Sequence, residues 1–220
     1  MNFEEKFFRR YEIIYEKLQN FGFILKNNAY FFEKLILNGS FRVIIQIDKQ
    51  ANLQGKIFEV DLDEEYDNFR NENQNGEFVN KVREEYLKVL AAIRDNCCIK
   101  KDFIYPQTNL VSNQICEKFN TKPEFLWKDS NAGVFRNKAN RKWFAIIMDI
   151  DKSKIDKSQK GLVEVINLKL DNVEKYWDFK SIYPAYHMNK KYWLTIVLDN
   201  SLSNERIMEL VKQSFDNISG

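Results

Sequence analysis

The fold is decided by the stretch Tyr183-Pro-Ala-Tyr-His-Met-Asn-Lys-Lys-Tyr-Trp-Leu-Thr-Ile-Val-Leu-Asp199, which an amphipathic segment follows. It contains the only histidine of the chain, His187, among lysines, tyrosines and a tryptophan. The apolar run 193–198 predicts a strand. Ser203 predicts the N-cap of a closing helix. A polar loop, a strand and a terminal helix are therefore expected in this order.

The residues before this stretch also alternate between helical and extended patterns. A helix is expected from about 109 to 119, and the nearly continuous apolar run 142–150 predicts a central strand covered on both faces. Residues 162–170 predict a neighbouring strand. The carboxy-terminal half is thus expected to be an α+β domain with an antiparallel sheet flanked by helices.

The amino-terminal half shows a similar order of patterns. Apolar residues at three- and four-residue steps predict a helix over 4–19. Extended runs follow at 29–37, 41–47 and 56–62, and Asn38-Gly39 between the first two is a hairpin-turn signal. A second amphipathic helix is marked by Phe78, Val82, Tyr86, Val89, Leu90 and Ile93.

Length and periodicity indicate two tandem domains. The 220 residues suit two domains of about 100 residues each, and the periodicity lapses before Pro106. We therefore predict an amino-terminal α+β domain over 1–105 and a second domain over 106–220. Residues 41–49 share five identities in nine positions with residues 144–152. The first domain is either a diverged copy of the second, or the two strand ends converged on Ile-Asp-Lys.

Composition limits the environment and the partners. The net charge is +2. Residues 106–220 contain 18 Lys and Arg and 14 Asp and Glu, whereas residues 1–105 contain 16 Lys and Arg and 18 Asp and Glu. This favours an anionic partner for the second half. Three cysteines, no apolar run of 18 residues and an acidic amino terminus without an apolar core predict a reduced, cytoplasmic protein that does not engage a membrane.

Several short motifs in 109–219, taken in order, resemble the MmcQ/YjbR family. They are Phe119-Asn-Thr-Lys-Pro-Glu-Phe-Leu-Trp127, Val134-Phe-Arg136, Lys142-Trp-Phe-Ala-Ile-Ile147, Val165-Ile-Asn-Leu-Lys169, Pro184-Ala-Tyr-His-Met-Asn-Lys-Lys-Tyr-Trp193 and Ser214-Phe-Asp216. The resemblance implies a frataxin-like, double-wing fold and binding to DNA. The family commonly has histidine at the position of Tyr192, so a role that needs two imidazoles is not implied here.

Two lysine-rich segments are the candidate contacts to duplex DNA, because cations on loops beside a sheet can grip phosphates. The first is the stretch 136–160, and the second surrounds His187. The candidate residues are Arg136, Lys138, Arg141, Lys142, Lys154, Lys157, His187, Asn189, Lys190 and Lys191. The same segments also fit a purely structural interpretation, in which lysines solubilise loops and the aromatic residues around His187 fix one.

No motif predicts catalysis, a metal site or a cofactor. The chain has no P-loop, dinucleotide glycine fingerprint or His-Glu-x-x-His motif. The acidic run 59–67 offers oxygen ligands but lacks the EF-hand glycine, and it reads best as a solvated strand end. We therefore expect a non-enzymatic binding protein for duplex DNA. The alternative is a protein-interaction or small-ligand-sensing module, with a protein partner for the amino-terminal domain.

Overall fold

The computed structural model describes residues 3–71, 73–128, 130–177 and 179–219 of the chain. The chain divides into two compact units, Met1–Lys101 and Asp102–Gly220. Each unit combines α-helices with antiparallel strands, which confirms the predicted α+β class. Independent folding of 106–220 stays a prediction. None of the described helices combines the length and the apolar character that a membrane span requires.

The described residues of the amino-terminal unit form three α-helices and seven strands. In chain order these are α1 (Phe3–Phe8), β1 (Tyr11–Ile13), α2 (Tyr15–Phe21), β2 (Ile24–Lys26), β3 (Ala29–Ile36), β4 (Phe41–Asp48), β5 (Leu53–Glu59), β6 (Glu64–Glu65), α3 (Glu77–Cys97) and β7 (Cys98–Lys100). The single helix predicted over 4–19 is wrong. β1 interrupts it by pairing antiparallel with β7, so a long-range partner overrides the local periodicity.

The main sheet of this unit has the order β2-β3-β4-β5-β6 with antiparallel neighbours. Alternate residues of β4 are buried against the helices, namely Phe41, Val43, Ile45 and Ile47. The predicted turn between β3 and β4 is confirmed, because Asn38 and Gly39 both have positive φ. The helices cover only this one face of the sheet.

A buried ionic network ties α1 to this core. The Glu4 side chain is 2% exposed and accepts hydrogen bonds from the Arg70 guanidinium, at 2.8 and 3.1 Å, and from the Tyr86 hydroxyl. Arg70 also donates to the Gly55 carbonyl oxygen. Gly55 leaves room for this arrangement, since a Cβ at that position would overlap the Tyr86 hydroxyl. Burial and the neighbouring Glu4 carboxylate raise the pKa of Tyr86, which keeps it protonated.

The carboxy-terminal unit contains two α-helices and six strands among its described residues. They are α4 (Pro106–Phe119), β8 (Glu124–Phe125), β9 (Gly133–Arg136), β10 (Trp143–Asp151), β11 (Leu162–Lys169), β12 (Ile182–Pro184), β13 (Trp193–Val197) and α5 (Asn204–Ser219). The strands form one antiparallel sheet in the order β12-β13-β11-β10-β9-β8. The predicted cap is present, because Ser203 Oγ accepts a hydrogen bond from the Arg206 N–H.

Both faces of this second sheet are covered, as the apolar strands predict. Ala145, Ile147 and Ile166 pack with α4 and α5 in the larger core. On the opposite face, Ile146 lies in a second cluster with residues of the segment 185–193, and Val165 lies in a third. The connection between β12 and β13 therefore folds back as a cover over the face that the helices leave open.

The two sheets share the order of four consecutive strands, since β2-β3-β4-β5 corresponds to β8-β9-β10-β11. The sequence echo between β4 and β10 nevertheless does not place equivalent residues on the same face. Val43 faces the helices, whereas its counterpart Ile146 faces away, because a bulge between Trp143 and Ala145 inverts the alternation. Duplication stays a prediction. The shared strand order favours it, whereas the opposite orientation of the equivalent residues Val43 and Ile146 argues against it.

The shared Ile-Asp-Lys ending has a local physical cause. Asp48 ends β4 and accepts hydrogen bonds from the N–H groups of Gln50 and Asn52. Asp151 ends β10 and accepts from the Ser153 N–H and from the Gly161 N–H. Both carboxylates therefore stabilise the turn that follows a central strand.

Candidate functional site

The ten candidate DNA contacts lie on three connections of the carboxy-terminal sheet. The β9–β10 hairpin carries Arg136, Lys138, Arg141 and Lys142, the β10–β11 loop carries Lys154 and Lys157, and the β12–β13 loop carries His187, Asn189, Lys190 and Lys191. Nine of the ten side chains belong to exposed residues, and Arg136 is half-buried. All three connections thus present charge to solvent.

Strand register places these connections at two different ends of the sheet. Arg136 pairs with Trp143, and Trp193 pairs with Lys169, so the hairpin tip 137–142 and the loop 185–192 lie at one end. Asp151 pairs with Leu162, which places the loop 152–161 at the other end. We call these the tip end and the far end. The length of β10 separates them by about 30 Å, at roughly 3.3 Å per residue.

A buried polar network pins the loop 185–192 to the sheet. Asn167 Nδ2 donates to the Tyr186 carbonyl oxygen at 2.8 Å, and the Tyr186 N–H donates to Thr195 Oγ1 at 2.9 Å. The Thr195 hydroxyl donates to Asn167 Oδ1 at 2.6 Å. Asn167 and Thr195 are fully buried. Because every partner is satisfied in a low-dielectric environment, the network holds the loop in one position.

A tight turn then presents the two lysines of this loop. The Asn189 carbonyl oxygen accepts hydrogen bonds from the N–H groups of Tyr192 and Trp193, each at 3.0 Å. Asn189 Oδ1 accepts from the Lys191 N–H at 3.0 Å. The amide oxygen of Asn189 therefore takes part in the turn itself, and Lys190 and Lys191 are exposed residues of that turn.

His187 is exposed and has a left-handed backbone conformation, with φ of 59°. Its ring lies on that of Tyr186, with 4.0 Å between centroids. Trp193 is buried in the cluster under the loop, and the Lys191 ammonium lies 5.4 Å from the Tyr192 ring centroid. These contacts match the interpretation in which the aromatic residues around His187 fix the loop.

The hairpin cations are partly neutralised within the unit. Arg136 and Arg141 both pair with the Glu124 carboxylate, each at 3.0 Å. The Arg136 guanidinium also lies 5.0 Å from the Trp143 ring centroid. Lys138 Nζ donates to an amide oxygen rather than to a carboxylate. Within the described residues no carboxylate pairs with Lys142, so this residue offers a full charge.

The hairpin tip is held against the carboxyl end of α5. Asn137 Nδ2 donates to Ser219 Oγ at 2.9 Å, and Asn140 Nδ2 donates to the Ile218 carbonyl oxygen at 2.6 Å. Capping of helix carbonyls by a side chain satisfies groups that would otherwise lack partners. The tip end therefore consists of two loops that are both fixed to the core of the unit.

The far-end loop is ordered by the carboxylate of Asp151. Hydrogen bonds from the Ser153 hydroxyl and N–H, and from the Gly161 N–H, lower the pKa of Asp151. Lys152 forms an ion pair with Asp199 at 3.5 Å. Lys154 and Lys157 are exposed residues of this loop, and the charge of Lys154 also helps to lower the pKa of Asp151.

Asp151→Asn is expected to loosen the far-end loop in a pH-dependent way. A lowered folded pKa gives stability that is present above the ordinary value, about 4, and lost as the pH falls through the folded pKa. The difference in Tm between wild type and variant should thus be measurable at about pH 6 and shrink as the pH falls through the folded pKa of Asp151. Asp171→Asn, at an exposed carboxylate, serves as the control. A difference that persists unchanged at low pH would contradict the assignment.

The sequence interpretation missed the residues that position the site. Asn167 lies between apolar residues of β11, Thr195 is the polar residue of the otherwise apolar β13, and a polar residue inside a buried strand usually requires a partner. That signal could have paired them. A cleft of about 490 Å³ beside the hairpin also adds Lys122, which lines it with Lys138 and Arg141.

The structure offers little for chemistry at these loops. Within the described ranges, no three His, Cys, Asp or Glu side chains converge as metal ligands would. The three cysteines are free thiols, and burial raises the pKa of each, that of Cys98 to about 12. What the tip end provides is a set of fixed, exposed cations.

Comparison with known proteins gives concordant matches over about half of the chain. Residues 117–217 match the sequence profile of the YjbR family. The uncharacterised protein YyaQ of Bacillus subtilis strain 168 is 31% identical over 108 residues, which are 48% of this chain and 92% of YyaQ.

Solved structures also match. A crystal structure of a Pseudomonas syringae protein is 36% identical, with a TM-score of 0.48, covering 49% of this chain and 95% of that protein. The Deinococcus radiodurans protein DR2400 is 25% identical, with a TM-score of 0.38, covering 51% of this chain and 77% of that protein.

Proposed function

Because the chain belongs to the YjbR family, we propose that its carboxy-terminal unit is a non-enzymatic module that binds the phosphate backbone of duplex DNA. The observation that carries the proposal is the tip end, where register brings two cationic loops together on a rigid sheet. Lys142, Lys190 and Lys191 are its exposed charges, and Lys138 and Arg141 flank them.

The two cationic loops lie next to each other at the tip end. Ala185 and Met188 of the loop 185–192 share an apolar cluster with Trp143, at the base of the hairpin. Cations of adjacent loops can contact neighbouring phosphates of a duplex backbone. Lys154 and Lys157, at the far end, lie outside this contact.

The geometry favours binding without sequence preference. Lysine ammonium groups contact phosphates, which position a protein on DNA but carry no base identity. The amide oxygen of Asn189, the candidate for reading a base edge, already accepts a hydrogen bond from Lys191. The Asn189 side chain is therefore assigned to holding the turn rather than to reading bases.

Wild-type protein is expected to bind a labelled duplex with micromolar or weaker affinity near physiological salt, as non-specific binders do. With about four phosphate contacts, log K should fall against log salt with a slope near −3.6, at roughly −0.9 per contact. Fluorescence anisotropy across a salt series measures both quantities. Two duplexes of equal length and different sequence should give equal affinities.

The absence of binding at low salt would refute this function, and a slope near zero would show that phosphates are not the ligand. A strong preference for one of the two duplexes would instead return base reading to the site. Each outcome is read from the same titration, so the proposal does not depend on a variant that folds poorly.

A second candidate function, protein interaction, rests on a different surface of the same unit. Phe125, Leu126 and Trp127 are consecutive and 45%, 43% and 46% exposed. They lie at β8, the edge strand of the sheet, where an apolar surface and unpaired backbone groups can receive a partner. If the duplex titration fails, this surface becomes the leading functional site.

A further inference from the structure

One face of the main sheet of the amino-terminal unit is covered by none of the elements that the structure describes in that unit. Ile24 and Leu35 on this face are 58% and 56% exposed, and Phe31, Ile44 and Phe58 are half-buried. The core cluster of this unit contains buried side chains of the helices and of the opposite face of the sheet. We call this surface the open face.

The carboxy-terminal unit shows how the same arrangement of strands is normally completed. There, the segment between β11 and β13 folds over the sheet, and Ala185 and Met188 pack on Ile146. In the amino-terminal unit the position beside β5 is taken by the two-residue strand β6, and none of the described residues of the unit forms a comparable cover. The open face carries apolar residues among its polar ones where its counterpart is buried, but it lacks the cover.

The central row of the open face carries charges of opposite sign on the two sides of its middle residue. Register aligns Glu33 of β3 with Ile44 of β4 and Lys56 of β5 in one row across three adjacent strands. The negative charge lies on one side of Ile44 and the positive charge on the other. Glu33 is exposed, and the Lys56 side chain is 54% exposed.

We propose that the open face binds a second copy of this chain in a two-fold symmetric dimer. A two-fold axis parallel to β4 places β3 of each copy over β5 of the other. Glu33 then meets Lys56 of the second copy in two equivalent ion pairs, and Ile44 meets its own counterpart on the axis. In the next row, Leu35 meets Phe58 of the second copy.

Arg42 and Glu65, two further charges of the face, are compatible with this arrangement. Arg42 would face its own counterpart, but each Arg42 is bonded to its own Asp63 at 2.7 Å and lies 5.5 Å from the Phe58 ring centroid. Lys56 pairs with Glu65 at 2.7 Å, and this pair extends to Glu33 of the second copy. Aligned sheets keep their strands within about 30°, so the central row stays in contact.

The size of the face suits a reversible dimer rather than an obligate one. The three long strands β3, β4 and β5, at about 4.8 Å between strands and about 3.3 Å per residue, give a central patch of roughly 14 by 25 Å, which the short strands β2 and β6 widen at its edges. Specific interfaces at the small end bury about 1,200 Å² in total and are often transient. Dissociation is therefore expected within the concentration range of a sedimentation experiment.

Sedimentation equilibrium of the full chain tests the proposal. Wild type should approach twice the chain mass of 26.4 kDa as concentration rises. Ile44→Asp should raise the dissociation constant by at least about 30-fold, as expected for a central contact. Glu33→Lys and Lys56→Glu should each be monomeric alone, because like charges then meet, but a 1:1 mixture of the two should dimerise again.

The mixture distinguishes a specific contact from damage to the fold, because two misfolded variants would not restore each other. Glu84→Lys, an exposed site on α3 away from the open face, is the matched control and should dimerise like wild type. A wild-type protein that stays at 26.4 kDa at every concentration overturns the proposal. So does a dimer that is indifferent to Ile44→Asp and to both charge reversals.

Discussion

Replacing Glu4 with glutamine is expected to destabilise the amino-terminal unit by about 3 kcal/mol, the lower end of the range for breaking a buried ion pair. The change leaves the Arg70 guanidinium, whose side chain is 31% exposed, without its carboxylate. It also turns an acceptor of the Tyr86 hydroxyl into a neutral amide. Urea unfolding followed by far-UV circular dichroism measures the loss.

Amide hydrogen exchange of β4 and β5 shows whether the urea-induced unfolding transition belongs to the amino-terminal unit. Glu16→Gln removes a carboxylate at an exposed residue of α2 and should change the free energy of unfolding by less than about 0.5 kcal/mol. A loss below about 1 kcal/mol for Glu4→Gln would show that the network contributes no more than a surface ion pair.

Asn167→Ala is expected to cost about 2–3 kcal/mol in the carboxy-terminal unit, because it leaves buried hydrogen-bonding groups unsatisfied and opens a small cavity. The groups that lose their partner are the Tyr186 carbonyl and the Thr195 hydroxyl. Amide exchange in 185–192 should accelerate, while amides of the helix-facing core of β10 stay protected.

A double-mutant cycle with Thr195→Val separates the network from simple loss of volume. The two changes should be non-additive by more than about 0.5 kcal/mol, since both residues belong to one hydrogen-bonded unit. Unchanged exchange in the loop after Asn167→Ala would mean that the apolar contacts of Ala185 and Met188, with the Tyr186 N–H to Thr195 Oγ1 hydrogen bond, hold the loop without Asn167.

The sequence predicts the carboxy-terminal unit better than the amino-terminal one for physical reasons. Long apolar strands such as β10 and β11 and the capped helix α5 are specified by local pattern. The error over 4–19 arose because β1 has its partner in β7, far away in the chain, and three residues of strand are invisible to a helical periodicity.

The candidate site was predictable in its residues but not in its grouping. Lysine-rich loops are visible in a sequence, yet Lys142 and Lys154 are close in the chain and lie at opposite ends of β10. Conversely, Lys142 and Lys190 are distant in the chain and share the tip end because of strand order. Only pairing and register carry this information.

Ion pairing is the second property that could not be predicted from the sequence. Arg136 and Arg141 were predicted as DNA contacts, but both bind the Glu124 carboxylate. These two arginines would have to weaken their ion pairs with Glu124 in order to bind phosphate, which lowers their net contribution to the affinity for DNA. The unpaired lysines of the tip end carry the larger part of the proposed contact.

Reversing two charges at each end of the carboxy-terminal sheet, in the full chain, tests whether the tip end contacts DNA. Lys190→Glu with Lys191→Glu should weaken duplex binding at least about tenfold in fluorescence anisotropy, and the salt slope should fall from about −3.6 to about −1.8 as two contacts are lost. Lys154→Glu with Lys157→Glu makes the same change in net charge at the far end and should leave affinity within about twofold. Equal losses for the two pairs, or a larger loss at the far end, would contradict the account.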